Sequence, residues 1–256
     1  MAVDEELANG LLKYVPFQAQ EDFHRADVPV KALLGPNSGG KSVAGYAELA
    51  WEVLQGRRKG RIPVHAWVVR PSFPKNRFTD PTFTRLWYGD EFFDPFIPKA
   101  MQGRLRGNPA SVMEINNGST IELRTWRQGF ELNEGQMPDI IHVDDSCPTA
   151  LFNEFRARLF RKPHGLLMAT ATDTHCDSWI MELIEQSDQG NPGIKVFRIK
   201  MDDNTYLDHQ HIQTMVAGMD EIETAVRAGG AVREEGGRVY KCWSEANWRD
   251  RSELPM

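Results

Sequence analysis

The sequence predicts an α/β fold: a mostly parallel sheet flanked by helices. Three observations carry that reading. Short apolar runs alternate along the chain with segments of helical spacing, as happens where a crossover helix follows each strand. The first clear run leads through a glycine-rich turn directly into a helix. With 256 residues, 41% hydrophobic and 26% charged, the chain has material for one large domain or two small ones around a sizeable core.

Taken in order, the predicted strands are 30–34 (VKALL), 64–69 (VHAWVV), 111–115 (SVMEI), 120–125 (TIELRT), 139–143 (DIIHV), 165–170 (GLLMAT) and 194–200 (IKVFRIK). Asn117-Gly118 joins the third and fourth as a hairpin turn. Helices are expected over 41–55, 149–160, 177–187 and 209–227. The stretch 71–109, rich in Pro, Phe and Trp, reads as irregular with short helices at most, and RVYKCW at 238–243 reads as a last strand. The simplest division is a core over 1–176 and a smaller portion over 177–256.

Composition narrows the class further. No apolar run approaches the roughly 18 residues of a membrane helix, and the acidic start MAVDEELANG lacks the order of a secretion signal. Three cysteines without CxxC spacing exclude a disulfide framework or a zinc ribbon, so a reducing intracellular setting is expected. The net charge is −6, and residues 201–256 account for most of it with 6 basic and 11 acidic side chains. A generic nucleic-acid coat would be strongly basic, so any DNA contact needs a local patch or several subunits.

Chemistry concentrates at Gly35-Pro36-Asn37-Ser38-Gly39-Gly40-Lys41-Ser42, a full match to G-x-x-x-x-G-K-[ST] between a strand and a helix. Such glycines let backbone N–H groups curl around phosphate oxygens, and the helix N-terminus adds a favourable dipole. Lys41 is placed to reach the β- and γ-phosphates and the Ser42 hydroxyl to hold Mg²⁺. About 100 residues on, DIIHVDD is an apolar strand ending in two acids. Asp144 is expected in the magnesium shell and Asp145 orienting the attacking water. The next strand ends in Ala169-Thr170-Ala171-Thr172-Asp173, where Thr170 and Thr172 are candidates to sense the γ-phosphate. Upstream, PFQAQEDFH offers Gln20, whose amide can donate to and accept from an adenine edge at once.

These four blocks, in this order, resemble the ATPase domain of the large terminase subunit, the DNA-packaging motor of tailed phages. PFQAQEDFH is similar to that family's adenine motif, GPNSGGKS to its Walker A, EGQMPDIIHVDD to its Walker B and GLLMATATDTHCDSW to its coupling segment. MDDNTYLD, with the helix and GGRVYKCW after it, resembles the lid and the entry to a nuclease domain. The resemblance implies an ASCE-type P-loop fold with a C-terminal lid, ATP and Mg as cofactors, and hydrolysis driving double-stranded DNA into a procapsid. It further implies a homo-oligomeric ring, a pentamer on the portal protein, and a small terminase subunit as partner. The place of action would be the host cytoplasm and, transiently, the procapsid portal, not the mature virion or a membrane.

The departures matter. Family members usually have Glu where Asp145 stands, often an Arg inside the P-loop where Ser38 stands, and often a finger in the loop corresponding to 128–143, which holds no Arg here. Candidates for an arginine finger are therefore Arg104, Arg106, Arg124, Arg127, Arg156 and Arg158. Asp202, Asp203 and Asp208 read as caps rather than metal ligands, and no nuclease is expected from this chain. The competing readings are a nucleotide-regulated binding module with little hydrolysis and a helicase-type or other P-loop enzyme.

Overall fold

The computed structural model describes residues 10–56, 60, 62–126, 137–172, 177–207, 210, 214 and 217. Two helices, α1 (Gly10–Lys13) and α2 (Gln18–Arg25), precede strand β1 (Val30–Gly35) and the long helix α3 (Lys41–Gln55). After β2 (His65–Arg70) comes a single turn, α4 (Pro81–Phe83), that runs into a π-helical turn over Thr84–Tyr88. Three antiparallel strands follow, β3 (Gln102–Gly107), β4 (Ala110–Ile115) and β5 (Thr120–Thr125). Then β6 (Ile140–Asp144), α5 (Thr149–Phe160), β7 (Leu166–Thr172), α6 (Ser178–Asp188) and β8 (Ile194–Arg198) complete the described elements.

All eight strands form one sheet in the order β3-β4-β5-β2-β6-β7-β1-β8, parallel from β5 through β8. The central parallel strands β1, β6 and β7 are buried on both faces, which is why their sequences read as near-continuous apolar runs rather than alternations. One face packs Leu33, Val68, Ile140 and Met168 against α3 and against Phe83, Leu86 and Ile97. The other packs Leu34, Val69, Val143 and Ala169 against Phe152 and Phe155 of α5 and Trp179 and Leu183 of α6.

Lys31 breaks the apolar run of β1 and is fully buried. Its Nζ donates to Glu48 Oε1 at 2.6 Å and to the Phe23 carbonyl at 2.9 Å, while Glu48 Oε2 meets His24 Nδ1 at 2.8 Å. The pair joins β1 to α3 beneath the glycine-rich loop. The hairpin turn falls at Asn117-Gly118, where Gly118 has φ +86° and Asn117 Nδ2 donates to the Val53 carbonyl at 2.8 Å.

One expectation changes. The segment 102–107, taken as irregular, is an edge strand. QGRLRG carries two glycines and two arginines, so it gives no apolar signal, and its pairing with β4 alone defines it. Beyond residue 176, β8 pairs with β1 and α6 packs against the same sheet. The expected helix over 209–227 and strand over 238–243 lie almost wholly outside the described residues. Among the described residues no helix is long and apolar enough to cross a membrane.

Candidate functional site

The carboxyl ends of β1, β6, β7 and β2 open into one cavity of about 650 Å³. The loop after β1 forms its floor. Gly40 caps α3 with φ +84°, and a Cβ there would stand 2.8 Å from Gln20 Nε2, so glycine suits both the conformation and the space. Asn37, Ser38, Gly40, Lys41 and Ser42 face the cavity. Gly35, Pro36 and Gly39, also expected to bind nucleotide, shape the loop from behind: the Pro36 carbonyl accepts from the Gly39 N–H at 3.2 Å and from Lys41 Nζ at 2.5 Å.

Asp144 ends β6 as the focus of three hydroxyl donors and one guanidinium. Its Oδ1 accepts from Ser42 Oγ at 2.7 Å and Thr170 Oγ1 at 2.8 Å. Its Oδ2 accepts from the Tyr46 hydroxyl and lies 3.4 Å from Arg70 Nε. Burial alone would raise this carboxyl, but the charged forms of His142 and Arg70 and the Tyr46 and Ser42 hydroxyls outweigh it and hold the pKa below its ordinary value. Burial pushes the His142 imidazole down to about 4, so near neutrality Arg70 is the standing cation beside Asp144. Ser42 and Tyr46 are one helical turn apart on α3, which is why both reach the same carboxylate. Gly45 sits between them and makes room for His142, whose Nε2 contacts Thr170 Oγ1 at 2.9 Å.

Asp145 follows with φ +84°, exposed to the cavity, its N–H donating to the Thr170 carbonyl at 2.8 Å. Asp and Asn are the non-glycine residues that tolerate this region best, which gives a backbone reason for Asp rather than Glu here. Thr172 Oγ1 donates to Asn37 Oδ1 at 3.2 Å, tying β7 to the loop.

Gln20 lines the cavity but is buried, its Oε1 accepting from Phe17 N–H at 3.3 Å and its Nε2 donating to the Gly40 carbonyl at 3.0 Å. In this structure its amide braces the loop; it does not stand open for a base. Of the finger candidates, Arg106 pairs with Glu114, Arg124 with Glu122, Arg156 with Glu182 and Arg158 with Glu154. Arg104 is exposed on β3, and Arg127 lies outside the described residues. None of the described candidates lines the cavity, whereas Arg70 and Arg85 do.

Sequence reasoning missed Arg70, Tyr46, His142 and Asn204. Asn204 Nδ2 donates to the Ser38 carbonyl at 2.7 Å, clamping the loop from the far end of the described chain. Asp203 caps its own turn by accepting from the Lys200 N–H at 2.8 Å, as expected; Asp208 is outside the described residues.

No family model matches the sequence, and no curated protein does. Solved structures do match. The large terminase ATPase domain of Thermus phage P74-26 shares 15% identity at a TM-score of 0.63, over 87% of this chain and 96% of that one. The chain has the fold of a large terminase ATPase domain. The large terminase of the thermophilic bacteriophage D6E, in complex with ATP-γ-S, matches at 13% identity and a TM-score of 0.59, over 84% of this chain and 53% of that one. In another crystal form the D6E terminase matches at 13% identity and a TM-score of 0.60, over 91% and 57%. This chain therefore spans about half the length of the D6E terminase. In this chain's sheet β7 stands between the loop-bearing β1 and the acid-bearing β6.

Proposed function

We propose that the chain is an ATP-hydrolysing motor that moves double-stranded DNA into a viral procapsid, working as a homo-oligomeric ring on the portal protein. The observation that carries this reading is the meeting, in one cavity, of Lys41, Ser42, Asp144 and Asp145 at the edge of a terminase-type sheet. Lys41 and the loop N–H groups bind the phosphates, and Asp145 takes the proton of the attacking water. Ser42 and Asp144 fit magnesium: both offer hard oxygens, and their 2.7 Å separation is near the spacing of neighbouring ligands on a small octahedral ion. Among the described residues no group of three or more His, Cys, Asp or Glu could hold a metal, so phosphate and water would complete its shell. When bound, the ion supplies neutralisation of charge on the phosphates.

Thr170 contacts Asp144 and Thr172 contacts Asn37, so both threonines are placed to couple the phosphate end of the site to β7. The described finger candidates stand away from their own cavity, a position suited to acting on a neighbouring copy. Such an arginine is worth about 10³–10⁵ in rate, so the isolated chain is a poor ATPase. The portal, DNA and a small terminase subunit are its partners, in the host cytoplasm and at the procapsid. The test is magnesium-dependent phosphate release, measured against protein concentration with and without portal and DNA. Turnover per subunit rises with concentration and with both partners, and Lys41→Ala abolishes it. Release that is absent under all conditions, or unchanged in Lys41→Ala, refutes the reading.

A further inference from the structure

Arg70 ends β2, the strand beside β6, and its guanidinium opens into the cavity with 21% of the side chain exposed. Three polar side chains lie around it, and only the Thr82 hydroxyl forms a hydrogen bond with it. Nη1 is 3.2 Å from Thr82 Oγ1 and 3.6 Å from Asp80 Oδ1, and Nε is 3.4 Å from Asp144 Oδ2. The buried Nε–H meets no acceptor in hydrogen-bonding geometry among the described residues. Arg124 shares the orphaned Nε–H but closes its fork on a carboxylate. Arg124 Nη2 lies 3.0 Å from each oxygen of Glu122, and its guanidinium stacks 3.8 Å over the Trp67 ring.

A guanidinium carries five donors in a fixed fork that matches phosphate oxygens. Arg70 spends few of them, lines the same cavity as Lys41 and Asp145, and faces the one oxygen of Asp144 that Ser42 and Thr170 leave to Tyr46. Packing in front of the Phe73 ring, 5.5 Å from its centroid, limits where the fork can swing. We infer that Arg70 is the chain's own phosphate-reading arginine: it exchanges its loose contact with Asp144 for the terminal phosphate of a nucleoside triphosphate and so separates a triphosphate from a diphosphate. This rests on the nucleotide reading proposed above. It also supplies, from the neighbouring strand, a cation that Ser38 does not provide within the loop. Through Thr82 and Asp80 the same residue ties the phosphate end to α4 and the turn after it.

The experiment compares ADP with ATP-γ-S binding to the full chain by titration calorimetry, with magnesium, for wild type and Arg70→Gln. Gln keeps part of the stem and can still donate to Thr82. Wild type binds both, and Arg70→Gln weakens ATP-γ-S by about tenfold or more, the usual worth of a charge-assisted hydrogen bond, while ADP changes little. Equal weakening of both nucleotides means a structural role and overturns the inference, as does an unchanged ratio. Wild type that binds neither nucleotide refutes the broader reading instead. If Arg70→Gln does not fold, Arg70→Lys carries the same comparison: it keeps the charge but loses the fork, so reduced discrimination supports the inference and unchanged discrimination overturns it.

Discussion

Gly45→Ala sets two well-measured effects against each other inside the site. Gly45 lies in the middle of α3, where alanine ordinarily stabilises a helix by about 1 kcal/mol. Here a Cβ would stand 2.5 Å from both Cε1 and Nε2 of His142 and 3.0 Å from Thr170 Cγ2. Optimal carbon contacts lie at about 3.5–4.0 Å, so the overlap is about 1 Å. His142 is fully buried on a central strand and cannot yield cheaply. With contacts as close as 2.5 Å the cost belongs at the upper end of the about 1–3 kcal/mol typical of overpacking, so after the propensity gain the net effect is destabilising by about 1–2 kcal/mol. In a chain of this size that lowers the melting temperature by about 2–8 °C. Circular-dichroism melts and urea titrations of wild type, Gly45→Ala, His142→Ala and the double variant measure it. The penalty should vanish, or reverse towards the propensity gain, once the imidazole is removed. A Gly45→Ala protein at least as stable as wild type, or a penalty that persists without His142, would refute the reasoning.

Other outcomes follow from the same geometry. Asp145→Asn keeps the fold, since Asn tolerates φ +84° equally well, but loses phosphate release by about 10²–10⁴-fold; Asp145→Glu, less suited to that backbone, lowers the melting temperature as well. Glu48→Gln leaves the Lys31 ammonium buried without its countercharge and destabilises by about 3–5 kcal/mol in urea titration. The Glu48 carboxyl also titrates below its ordinary 4.5: burial would raise it, but the His24 contact and the Lys31 charge prevail. The unfolded chain therefore takes up this proton first, and wild-type stability falls as pH drops below about 4.5, a loss that is smaller in Glu48→Gln. Burial, with the Asp177 charge, pushes the Cys147 thiol up to about 12, so iodoacetamide at pH 8 leaves it unmodified in the native protein and labels it in urea, as peptide mapping will show.

The sequence made the central strands and the loop readable because each depends on local order: an apolar run, a glycine-rich turn, an acid pair at a strand end. β3 escaped because its pairing with β4, not its own composition, makes it a strand. The parts of the site that were missed are long-range. Arg70 carries no motif, and only the adjacency of β2 to β6 brings it to Asp144. Tyr46 did leave a signal, four residues after Ser42 on the same helix face. Gln20 was found, but its engagement with Phe17 and Gly40 depends on how α2 lies against the loop, which spacing does not encode.

The Asn204 clamp on the Ser38 carbonyl has a consequence for how the protein is made. A ribosome delivers the glycine-rich loop first, yet one of its carbonyl groups waits for a donor 166 residues later in the chain. Strand β1 is likewise bordered on one side by β7 and on the other by β8, both synthesised long after it. The nascent chain therefore carries the glycine-rich segment beside two open strand edges until β7 and β8 have been made. The site becomes complete only as the last described residues emerge, so a prematurely terminated product has the motif without the cavity.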